Sequence, residues 1–135
     1  KYFDVIMEFN RLNACNTDAL IADVPLCRAL GIQFYVASPL NMGLLGKRYF
    51  DYIERPPDWI SPRTLLVSRK LKELSESNNL LLSSLAHRFL LGITAIDKIV
   101  FGAANREELN ATLNDIRNGP LAAELFQKNW DIINH

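Results

Sequence analysis

Along the chain, short dense apolar runs alternate with stretches whose apolar residues recur at helical spacing. Residues 3–9, Phe-Asp-Val-Ile-Met-Glu-Phe, have the apolar density of a strand that starts almost at once. The polar residues 13–18 read as a loop, with Thr17 or Asp18 placed to cap a helix whose apolar positions are Leu20, Ile21, Val24 and Leu30. Pro25 lies inside that pattern, so the helix either kinks there or restarts with Asp23 as its cap and the proline in the first turn. Gly31 is read as a left-handed helix cap. Ile32, Phe34, Tyr35, Val36 and Ala37 then form a buried strand that Ser38-Pro39 stops, and Gly43 and Gly46 are expected to leave the following loop conformationally loose.

Residues 47–63 form a polar, aromatic insertion with Pro56, Pro57 and Pro62. The prolines exclude one continuous helix, and the expectation is a long loop of the kind that serves as a lid or crossing segment. Trp59 within it would either anchor the loop against a neighbouring helix or belong to such a lid. From Thr64 the helical period returns with Leu65, Leu66, Leu71 and Leu74, and Asn78-Asn79 stops it. A second helix over residues 83–91 turns Leu85, Ala86, Phe89 and Leu90 inward and closes at Gly92. A short strand over residues 98–101 leads to Gly102-Ala103-Ala104, where Asn105 caps a helix and Glu108 completes the asparagine form of a capping box. Leu109, Leu113 and Ile116 give this helix an apolar face. A last helix over residues 120–129, carrying Leu121, Leu125 and Phe126 with Trp130 beyond, is expected on the outside of the fold. This order of strands and helices predicts an α/β architecture of parallel strands with right-handed crossovers. Three strands cannot close a barrel, so the sequence reads as part of a larger sheet.

Composition narrows the function classes. The 135 residues are 49% hydrophobic and carry 15 basic and 15 acidic side chains, a formal net charge of +0. That length suits one domain, and the neutrality speaks against a dedicated binder of nucleic acid or anionic membrane. Cys15 and Cys27 are too few for a disulfide framework, and no Cys/His cluster has zinc spacing, so both are read as reduced, structural thiols and no metal is expected. No apolar run has membrane-span length and no signal peptide is evident, which makes an intracellular, cytoplasmic location the default.

Two stretches carry a resemblance. Residues 31–46, with Ala37-Ser38-Pro39-Leu40-Asn41-Met42-Gly43-Leu44-Leu45 at their centre, resemble the seventh strand and following loop of the aldo-keto reductases; residues 101–109, Phe-Gly-Ala-Ala-Asn-Arg-Glu-Glu-Leu, resemble the eighth strand and the start of the cofactor-reading helix. Within that superfamily the likeness is to the L-galactose, L-fucose and D-threo-aldose 1-dehydrogenases. Pro25, the Ser-Pro-Leu-x-Met-Gly-Leu-Leu loop and the Pro56-Pro57-x-Trp59 segment carry it. The resemblance implies that residues 1–135 are the C-terminal part of a (β/α)8 TIM barrel, strands six to eight with their helices, and that the N-terminal half is a missing partner.

It also implies a function. Aldo-keto reductases are NAD(P)-dependent oxidoreductases whose catalytic tyrosine, lysine, aspartate and histidine come from the first four strands, so no catalytic residue is expected here and the chain alone is expected to be inactive. Tyr35, Tyr49 and Tyr52 lack a fixed lysine neighbour, and His87 is read as a surface or half-buried helix residue. Ser38, Pro39, Leu40, Met42, Gly43 and Leu44 match the family's pyrophosphate loop. Gly102, Ala103, Ala104, Asn105 and Arg106 match the approach to the adenosine ribose. Many members carry an arginine for the 2′-phosphate of NADP at the position of Ala104 or of Glu108, and a Glu-Asn pair for the adenine where this chain has Ala111 and Thr112. The departures favour NAD over NADP, with Arg106 as a possible compensating reader. The implied substrate is a sugar or related small carbonyl compound. The alternative is a non-catalytic nucleotide-binding or regulatory protein on the same scaffold.

Overall fold

The computed structural model describes residues 2–135. Strand β1 (Val5–Phe9) is followed by helices α1 (Asp18–Ile21) and α2 (Asp23–Leu30), then β2 (Gln33–Ala37), α3 (Tyr49–Glu54), α4 (Pro62–Ser77), α5 (Leu82–Leu91), β3 (Lys98–Ile99), α6 (Arg106–Asn118) and α7 (Ala123–Asn134). The strands form one parallel sheet in the order β1-β2-β3, with Ile6 opposite Phe34, Glu8 opposite Val36, and Tyr35 opposite Lys98. Val100 extends the last pairing by donating its amide to Val36 O at 2.8 Å. This is the expected open sheet of parallel strands.

Alternation along the strands divides the sheet into two unlike faces. Phe34 and Val36 are fully buried among Leu71, Leu85, Phe89 and Leu90 of the helices. On the other face Val5, Met7 and Phe9 are 40%, 55% and 61% exposed. Large apolar side chains standing in water on a sheet face are what a barrel wall shows when the remainder of the barrel is not there to cover it. Among the described residues no helix is long and apolar enough to cross a membrane.

Several local expectations need correction. The first helix does restart at the proline, but the cap of α2 is Ala22, with no side-chain hydrogen bond; Asp23 is in the first turn, where its carboxylate accepts from Arg11 Nε at 2.8 Å. Thr17 occupies the cap position of α1 without bonding through its side chain, and the Asp18 amide donates to Asn16 Oδ1 instead. Gly31 takes the left-handed cap conformation, φ 66°. Residues 47–63 are not all loop: Tyr49–Glu54 complete a short helix before Pro56 can interrupt one, and α4 begins at Pro62, with Ser61 Oγ accepting from the Thr64 amide at 3.1 Å. Trp59 stays half exposed, edge-on to Tyr52 at 5.6 Å.

The terminal helix starts and ends later than expected, at Ala123 and Asn134, and packs on the outside of the fold with one face against the core. Phe126 stacks on Phe89 with ring centroids 4.8 Å apart, and the wholly buried Asn129 donates Nδ2 to Ala14 O at 3.1 Å. Arg88 of α5 donates to the carbonyls of Gly119 and Pro120, fixing the turn that feeds α7.

Candidate functional site

The loop leaving β2 is wound tightly, contrary to the looseness its glycines suggested. Ser38, Asn41 and Met42 have positive φ along with Gly43 (φ 93°), and successive backbone bonds run from Asn41 N to Ser38 O, Gly43 N to Leu40 O, Leu45 N to Leu40 O and Gly46 N to Gly43 O. Leu44 and Leu45 are driven fully into the core, and Asn41 is buried with them. A hydrogen bond with the Asn41 side chain reaches Cys15 below. Burial pushes that thiol up to about 12, only partly countered by Asn41, so Cys15 is a packed, unreactive group. From the outside Tyr52 donates its hydroxyl to Met42 O at 3.2 Å, with the Arg48 guanidinium over its ring. The loop is therefore a preformed wall.

Opposite it stands the start of α6. Asn105 Oδ1 accepts from the Glu108 amide at 2.9 Å, as a cap should. The reciprocal bond differs from the expected capping box, because Glu108 Oε2 accepts from the amide of Ala104, not of Asn105, at 2.7 Å. Its Oε1 accepts from Lys47 Nζ at 2.9 Å, which ties α6 to the loop of residues 38–46 across 61 residues of sequence. The Ala104 amide first, and then Lys47, hold the Glu108 carboxyl below its ordinary range, so it stays ionised.

Between these two walls lies a cleft of about 520 Å³, lined further by residues of α3, α4 and α5. Leu40, Gly43, Gly102, Ala104, Glu108, Ala111 and Thr112 line it, seven of the residues singled out from sequence. The others stand back from it. The Ser38 hydroxyl lies 3.9 Å from Met42 Sδ, Leu44 is buried, Asn105 is used as a cap, and Pro39, Ala103 and Arg106 are outside the lining.

Among the polar members that sequence reasoning left out of the site are two lysines and a His–Asp pair. Lys47 and Lys72 bring positive charge to the cleft, and Lys72 Nζ also lies over the rings of Tyr49 and Phe50 at 5.7 and 5.4 Å. His87 and Asp115 meet at 2.9 Å and are only 5% and 6% exposed, so His87 is no surface residue. No local motif marks them: they lie 28 residues apart on different helices, and only the packing of α5 on α6 joins them.

The donor set fits an anionic ligand with a flat apolar part. Lys47 and Lys72 bring two ammonium groups, each also paired with a carboxylate, Glu108 at 2.9 Å and Glu76 at 3.3 Å, and Leu40, Leu82 and Ala111 offer apolar wall.

Comparison with known proteins gives this cleft its context. A fungal aldo-keto reductase from Pseudocercospora fijiensis (strain CIRAD86) is 26% identical over 134 aligned residues, covering 81% of this chain and 45% of the fungal protein. The chain thus spans less than half the length of that relative. Residues 2–134 match the family model described as the aldo/keto reductase family, and with nearly every residue inside the match the chain belongs to the aldo/keto reductase family.

Proposed function

We propose that the chain is the C-terminal, cofactor-binding part of an NAD(P)-dependent aldo-keto reductase acting on an aldose or related small carbonyl compound. The observation that carries this reading is the convergence of the β2 loop and the start of α6 on one lysine-bearing cleft, bridged by the Lys47–Glu108 pair. A bound nicotinamide cofactor supplies the hydride chemistry. The residues of this chain contribute binding: the wound loop and Gly102 frame the phosphates and ribose, and Ala111 and Thr112 lie along the base. The acid-base groups belong to strands outside this chain, so the 135 residues alone are expected to reduce no carbonyl substrate. Family membership favours this reading over a non-catalytic nucleotide-binding protein on the same scaffold.

Glu108 makes NAD the favoured cofactor. Its ionised carboxylate stands beside Ala104, where it would accept from a ribose hydroxyl and repel a 2′-phosphate. Dissociation constants for NAD and NADP, measured on the intact protein and on Glu108→Arg, test this. NAD should bind more tightly to the wild type, and the substitution should move the ratio toward NADP by roughly tenfold or more, the worth of one charge-assisted contact. A wild type that prefers NADP, and loses that preference in Arg106→Ala or Lys47→Met, would reverse the assignment.

A further inference from the structure

The His87 and Asp115 side chains join α5 to α6, are almost fully buried and both line the cleft. An ionised carboxylate only accepts hydrogen bonds, so the 2.9 Å contact from Asp115 Oδ2 to Nδ1 places a proton on Nδ1. In the neutral imidazole the other nitrogen, Nε2, is then a bare acceptor. Phe101 packs edge-to-face on the same ring, with centroids 5.1 Å apart, and helps to fix its plane. Among the described residues no hydrogen bond reaches Nε2. The atom is not sealed in protein either, since the only buried side-chain atoms lacking a partner among them are Glu8 Oε1 and Asn129 Oδ1. A tautomer-locked acceptor is thus held without a protein partner in the lining of an otherwise largely apolar cleft whose other polar groups include two lysines.

We propose that His87, positioned by Asp115, is a base-reading residue whose Nε2 accepts a hydrogen bond from the exocyclic amino group of an adenine bound in the cleft, a role that rests on the cofactor reading above. Of the α6 residues in the lining, Ala111 has no polar side chain and Thr112 is buried, whereas His87 on α5 presents a nitrogen without a protein partner. The apolar walls suit the flat ring system, and Lys47 and Lys72 suit the phosphates attached to it.

The experiment compares ADP with IDP, which differ at the purine 6-position, where an amino donor is replaced by a carbonyl acceptor. Calorimetry on the intact protein at about pH 8, above the ordinary imidazole range, should show ADP binding tighter by roughly tenfold. His87→Leu, which keeps side-chain bulk, should abolish that preference by weakening ADP while leaving IDP unchanged. Independently of any variant, the ¹⁵N resonance of the unprotonated His87 Nε2 in the wild type should move when ADP is added and stay in place with IDP. Equal affinities in the wild type, a preference that survives in His87→Leu, or an unmoved Nε2 resonance would overturn the assignment while leaving the cofactor site standing. Failure of both nucleotides to bind would remove the cofactor reading together with it.

Discussion

Glu8 stands on the helix-facing side of β1, opposite Val36, with its side chain buried. Oε2 accepts from the Arg11 amide at 2.6 Å, and Oε1 has no partner. Burial raises its carboxyl above the ordinary 4.5, while the backbone amides of Arg11, Ala37 and Leu12 pull it part of the way back. The folded state therefore holds this proton more tightly than the unfolded chain does. Its contribution is most favourable below 4.5 and declines as pH rises from there through the raised folded value, because the unfolded chain ionises first. In Glu8→Gln that decline should vanish. Chemical denaturation across the window checks it, and parallel pH profiles for wild type and variant would refute it. Of these particulars the sequence offered only a glutamate in an apolar run. Its burial depends on which face of β1 meets the helices.

At the scale of elements, the junction of α5 with α7 shows how a residue read as local punctuation can serve packing. Gly92 follows the last turn of α5 with φ −84°, a conformation open to any residue, so the turn itself does not require glycine. The close neighbour is Phe126 of α7: a Cβ at position 92 would lie 3.1 Å from that ring, which is itself stacked on Phe89 and so resists displacement. Gly92→Ala should therefore destabilise the chain by about 1–3 kcal/mol through displacement of Phe126. Gly92→Ala combined with Phe126→Leu should cost less than the sum of the two single changes, since the second substitution removes the atoms the first collides with. Strict additivity in urea unfolding would show that the close approach is not the cause. The apolar spacing of Leu121, Leu125 and Phe126 identified a helix, but nothing in it said that Asn129 would reach Ala14 and tie one face of α7 to the core.

For the whole molecule the exposed sheet face is the dominant feature. Val5, Met7 and Phe9 project from β1 into solvent beside exposed Tyr2 and Phe3, and the outer edge of β1 has no neighbouring strand among the described residues. Apolar surface beside an unpaired edge favours association. The isolated 135 residues should self-associate in sedimentation experiments, and Met7→Lys with Phe9→Lys should shift them toward monomer without loss of helical circular dichroism. A wild-type chain that remains monomeric at high concentration would contradict this.

The sequence alone determined the order of the strands and of the longer helices, the parallel topology and the two loops that approach the cleft, because apolar periodicity, glycine caps and the Asn105 cap act over a few residues. It could not say that the β2 loop is wound into successive turns around Asn41, that residues 49–54 complete a helix ahead of Pro56, or that Glu108 reaches the Ala104 amide. Nor could it join Lys47 to Glu108 or His87 to Asp115. Those pairings depend on how α5, α6 and the β2 loop dock, which is decided by the fit of side chains distant in the chain, and local spacing carries no record of it.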